Sequence, residues 1–205
     1  MTDHPPISIS DLISFTELLA DISHCGPDYV FDPVGLILPK RGSESKFADE
    51  CAYDCTPINT VPFAHTGVDG THFSLFSESI EDAGEQPVVM TRPMSFGAEN
   101  LIVGASIWEF LSLGYHMGYC DIESLHLGIP DNTNIEQAFA AAAGLPTSNY
   151  GSPPFYKDNP KASARLSDLR VRFQLSPWPD IHDRLKPLNE AHLPQLRFRA
   201  QSQDA

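Results

Sequence analysis

Apolar side chains recur at Leu12, Phe15, Leu19 and Ile22, a spacing that turns one face of a helix toward a core. They predict an amphipathic helix over residues 11–22, with Ser10 as its N-cap and Gly26-Pro27 as its stop. Val34-Gly-Leu-Ile-Leu38 reads as a short strand halted by Pro39, and residues 40–55 are polar and mixed, as in an exposed loop. The period then shortens to two. Apolar runs on either side of Gly67-Val68-Asp69-Gly70 carry the signature of a β-hairpin.

Side-chain alternation sets a register for that hairpin. A three-residue loop, Val68-Asp69-Gly70, gathers Val61, Phe63, Phe73 and Leu75 on one face. A four-residue loop pairs Phe63 with Ser74 and separates apolar from polar positions less well. Burial of one face favours the three-residue loop. It sets Thr66 opposite His72 and His65 opposite Phe73, so the two histidines fall on opposite faces, which argues against a shared metal ion.

Pro87-Val-Val-Met-Thr91 and Leu101-Ile-Val-Gly-Ala105 read as third and fourth strands, and the short connections imply an antiparallel meander. Ser106 and Glu109 form a capping box that starts a helix through about Met117, with Gly118 at its C-terminal cap. A further helix is expected near residues 135–143. Pro146, Gly151, Pro153 and Pro154 mark residues 145–158 as a linker, and Asn159-Pro160 opens another helix. Leu166, Leu169 and Phe173 share one of its faces, with Arg165, Arg170 and Arg172 on the basic side. Ile181, Leu185 and Leu188 form a last short helix, limited by Pro187. The expected fold is α+β: an antiparallel meander of four or more strands packed by helices over residues 1–144, with a helical extension at 159–198 on or near the domain.

Composition fits a soluble globular chain, with 41% hydrophobic and 20% charged residues among 205. No apolar run is long enough to span a membrane. The start, Met1-Thr2-Asp3-His4-Pro5-Pro6, lacks the basic and apolar segments of a secretory signal, so cytoplasmic residence is expected. In that compartment Cys25, Cys51, Cys55 and Cys120 read as free thiols. Cys51 and Cys55 with His65 or His72 offer metal ligands, but their spacing matches no common zinc pattern, so no cofactor is expected.

Charge is uneven along the chain. Residues 1–156 hold 21 acids against four bases, whereas residues 157–205 hold nine bases against six acids. An acidic body repels phosphates, so no nucleic acid partner is expected, and the same field favours encounter with a basic protein. Asp49, Glu50, Asp54, Asp69, Glu78, Glu81 and Asp82 flank the hairpin strands or cap the turn, and they form the candidate partner-binding surface. The alternative is a small hydrolase or metal-dependent enzyme using His65, Asp69 and His72. An Asp before Gly is common in turns for conformational reasons alone, and no nucleophile elbow, phosphate loop or metalloprotease helix occurs, so no catalytic residue is assigned.

The segment Pro62-Phe63-Ala64-x-Thr66-Gly67-x-Asp69-Gly70-x-His72-Phe73, then Pro87-Val-Val, Leu101-Ile-Val-Gly-Ala105-Ser106 and Trp108-Glu109-Phe110-Leu111, resembles the SUKH superfamily. The resemblance covers roughly residues 56–120. It implies an α+β domain and a protein-binding role, either as an immunity protein that neutralises a toxin, often a nuclease, or as a regulator of cell-wall synthesis. The N-terminal helix lacks the family's glutamate-rich, Leu-Pro pattern leading into a Gly-rich turn, and the long extension from Leu145 is given no role by the resemblance. Members share no catalytic residues.

Overall fold

The computed structural model describes residues 6–23, 34–77, 85–115, 118–127, 160–176, 178 and 181–199. The helix expected near 135–143, the linker at 145–158 and the acids Glu78, Glu81 and Asp82 lie outside the described residues. Helix α1 runs Ile9–Ser23. Its cap is Ser8 rather than Ser10: the Asp11 amide donates to Ser8 Oγ at 3.1 Å, while Ser8 N and Oγ donate to the Asp11 carboxylate. That reciprocal pair satisfies donors that an N-cap at Ser10 would leave open.

Two further expectations need correction. Val34–Leu38 forms no strand; Ile37 makes one bridge, exchanging both backbone hydrogen bonds with His65 at 2.9 and 3.0 Å. The polar stretch after Lys40 contains a helix, α2 (Glu44–Glu50), because Phe47 is buried and gives this short helix an anchor. Its seven residues are too few to persist without such packing.

Strands β1 (Val61–His65), β2 (His72–Leu75), β3 (Val88–Thr91) and β4 (Asn100–Gly104) form an antiparallel sheet in sequence order. The meander is therefore present. The hairpin register differs from the expected one: His65 pairs with His72, Ala64 with Phe73, and Pro62 with Ser74. Asp69 and Gly70 both have positive φ, and the Thr71 amide bonds the Val68 carbonyl at 3.0 Å, a turn with both central residues left-handed. The rejected four-residue loop is thus the one adopted. A bulge between Pro62 and Ala64 supplies the reason. The extra residue keeps Phe63 against the core helix while Val61 still pairs with Leu75, so apolar segregation survives the longer loop.

Helix α3 (Ile107–Gly114) starts at the expected capping box: Ser106 Oγ accepts from the Glu109 amide at 3.2 Å, and Glu109 reaches back to the Ala105 amide at 2.8 Å. It covers the sheet face of Phe63 and Phe73. Phe110 lies between them at ring separations of 5.8 and 4.6 Å, with Tyr119 at 5.1 Å. A 3-10 helix, Asp121–Leu127, follows.

Helices α4 (Pro160–Phe173) and α5 (Ile181–His192) form the extension, ending in a 3-10 turn at Leu193–Gln195. Leu166 and Leu169 are buried, and Phe173 meets Phe15 of α1 edge-on at 5.5 Å. Pro187 does not limit α5 but sits inside it. A proline there forfeits a helical hydrogen bond. Leu188 and Asn189, both buried just beyond it, hold the second half of the helix in place. Among the described residues, no helix is long and apolar enough to cross a membrane.

Candidate functional site

Pairing along the sheet puts His65, His72, Thr91 and Asn100 in one cross-strand row, with their side chains on the face opposite Phe110. The histidines therefore share a face, which corrects the expectation that they are separated. They are nevertheless occupied in different ways. Phe47 of α2 stacks on His65 at 5.2 Å, whereas Tyr53 stacks on His72 at 5.7 Å. His72 is fully buried, and its pKa is pushed down to about 4, chiefly by burial. As a neutral ring it donates from Nδ1 to the Gly70 carbonyl at 2.9 Å, and its Nε2 lies 3.1 Å from the Thr56 hydroxyl.

This row organises the segment that crosses it. Thr56 Oγ1 donates to the Cys51 carbonyl at 2.8 Å and accepts from the Tyr53 amide at 3.1 Å. Asn100 accepts from Thr91 Oγ1 and donates to the Cys55 carbonyl at 3.0 Å. The result fixes residues 51–56 over the sheet and points Tyr53 and Asp54 outward. Cys51, Cys55 and Cys120 form no disulfide; burial pushes Cys51 up to about 12 and raises Cys55, so both stay protonated. Among the described residues, no group of three or more His, Cys, Asp or Glu side chains is placed to hold a metal ion.

Beside this segment lies an open groove of about 710 Å³, lined by Tyr53, Asp54, Cys55, Pro93, Phe96, Glu99, Asn100, Phe198 and Arg199. The connection between β3 and β4 builds one wall. There the Arg92 amide bonds the Glu99 carbonyl at 2.7 Å, and Glu99 accepts from the Gly97 amide at 2.8 Å. The turn holds Phe96 outward, 86% exposed. The C-terminal segment builds the other wall. Asn59 donates to the Gln195 carbonyl at 3.0 Å and accepts from the Arg197 amide at 2.9 Å, which fixes the chain leading to Phe198. A second cavity, of about 520 Å³, adjoins the start of α1, but its Arg41 is already engaged by Glu17 and Ser14.

The sequence-derived candidates distribute unevenly around this groove. Asp54 lines it. Asp69 is exposed at the hairpin tip, next to Gly70, which packs against Tyr53 and Pro93 of the groove wall. Asp49 and Glu50 are exposed on α2 and do not line it; Glu50 pairs with Lys46 at 3.6 Å. Tyr53, Phe96, Glu99, Phe198 and Arg199 were not among the sequence candidates. Phe96 had a local signal, an aromatic residue within the turn-forming run Ser95-Phe96-Gly97, and Phe198 another, an aromatic residue between two arginines.

Comparison of the chain with protein-family models, with curated proteins and with solved structures gives no match in any of the three.

Proposed function

We propose that the protein is a non-catalytic binding module whose groove, flanked by acidic side chains, receives a basic protein. Immunity against a nuclease-type toxin is the specific form of this role. One observation carries the reading: Tyr53, Phe96 and Phe198, each at least 40% exposed, line a single groove together with Asp54 and Glu99. Exposed aromatic residues gathered in one groove mark association surfaces, and carboxylates beside them select the charge of what associates. The net charge of −14 supplies long-range attraction of the same sign. The SUKH-like motifs of residues 56–120 point in the same direction. The hydrolase alternative finds less support, because His72 is fully buried with both ring nitrogens facing internal groups and His65 is stacked on Phe47.

The test is the affinity of the full chain for a panel of basic nuclease toxin domains at low and moderate salt. Binding that weakens with salt, and that drops by about tenfold or more in an Asp54→Lys/Asp69→Asn variant, is the expected result. Both side chains are exposed, and Asn tolerates the left-handed conformation at position 69. Undiminished binding by the double variant, or no binding across the panel at low salt, would contradict the proposal.

A further inference from the structure

The groove is more selective in chemistry than acidity alone requires. Tyr53, Phe96 and Phe198 are 40%, 86% and 46% exposed, so all three rings present accessible surface, and Asp54 and Glu99 stand among them. Tyr53 is also fixed in orientation, because its ring lies within 20° of parallel to the buried His72 ring. An aromatic ring carries partial negative charge on its face and attracts cations there. Rings and carboxylates in one groove therefore favour the same kind of ligand group.

Other occupants satisfy only part of this lining. A purely apolar side chain would cover the rings but strip water from two carboxylates without replacing it. An anion would find one cation, Arg199, and be repelled by Asp54 and Glu99. A bare metal ion lacks ligands, since among the described residues no suitable cluster exists. A lysine ammonium satisfies charge, yet it is a strongly hydrated point charge. A guanidinium is planar and weakly hydrated. It can lie on a ring while its N–H groups meet a carboxylate in parallel.

We infer that the groove formed by Tyr53, Asp54, Phe96, Glu99 and Phe198 is a subsite for one arginine side chain of the partner protein. The inference rests on the protein-binding reading and deepens it. The arginine sits toward Asp54 and Glu99, and Arg199, which also lines the groove, meets a carbonyl or carboxylate of the same partner segment.

The test uses N-acetyl-arginine amide, titrated into the full chain and followed by backbone and aromatic NMR shifts. N-acetyl-citrulline amide, nearly the same shape without the charge, and N-acetyl-lysine amide serve as comparators. Saturable shifts at Tyr53, Phe96, Glu99 and Phe198 are expected, with arginine bound about fivefold or more tightly than citrulline and more tightly than lysine. Phe96→Ala should weaken arginine binding by about fivefold while leaving the spectrum away from residues 93–99 unchanged, since this ring is nearly all in solvent. Equal affinity for arginine and citrulline, saturable shifts located elsewhere, or indifference to Phe96→Ala would overturn the subsite. A basic toxin domain that binds wild type and Phe96→Ala equally would remove the arginine subsite and leave the protein-binding role standing. Arginine binding in the groove, with no basic domain bound by the chain, would do the reverse.

Discussion

At the scale of single residues, His72 is where burial and hydrogen bonding decide behaviour. Its folded pKa, about 4, lies below the ordinary value of 6.5, so the native state favours the neutral ring. The stability this contributes is complete above about pH 6.5 and is lost as pH falls toward 4, because the unfolded chain then binds the proton more readily. A shift of this size corresponds to about 3 kcal/mol across that window. Urea unfolding from pH 7 to pH 4 should therefore show a steep loss of stability that His72→Gln makes shallower; parallel curves for the two proteins would exclude His72 as the cause. Gly70 has the other residue-scale role. Its φ is +72°, and a Cβ there would come within 2.7 Å of the Tyr53 hydroxyl. Gly70→Ala should cost about 1–2 kcal/mol from backbone strain alone and disturb the Tyr53 ring that lines the groove. Urea denaturation measures the first effect, and tyrosine fluorescence the second.

At the scale of elements, the sheet ends at β4, whose outer edge is not left open. The Ile102 amide donates to Asn189 Oδ1 at 2.8 Å, and Asn189 Nδ2 donates to the Ile102 and Leu185 carbonyls, each at 2.9 Å. A side-chain amide thus takes the place of a fifth strand, a means of masking an edge that would otherwise pair with another chain. Asn189→Ala leaves two buried backbone groups without partners and should lower stability by about 2–4 kcal/mol in urea, with a greater tendency to aggregate. A change below about 0.5 kcal/mol would show that water replaces Asn189 without loss. Glu109 performs a similar joining function: it caps α3 while pairing with Arg184 of α5. The four strands and the α3 cap were legible in the sequence because short apolar runs bounded by turn residues and the Ser106–Glu109 box are local signals. Register was not, because the bulge at Phe63 arises from packing against Phe110, which no local pattern encodes. The same limit applies at Pro187, where contacts with β4 override a local helix-breaking signal.

At the scale of the whole molecule, the acidic body and the basic extension meet at the groove, where Asp54 and Glu99 lie with Arg199. Acidity was legible from composition, and Asp54 and Asp69 from their places beside the hairpin. The groove itself was not, since its lining comes from residues 53–55, 93–100 and 198–199, which only the folded chain brings together. That distance in sequence also makes partner binding at the groove directly testable. Amide hydrogen exchange of the full chain, with and without a bound basic toxin domain, reports which of these segments the partner covers. Slowed exchange is expected at residues 53–55 and 93–100 together, with α2 unchanged. Protection confined to Asp49 and Glu50 on α2, with the groove segments exchanging as in the free chain, would contradict it.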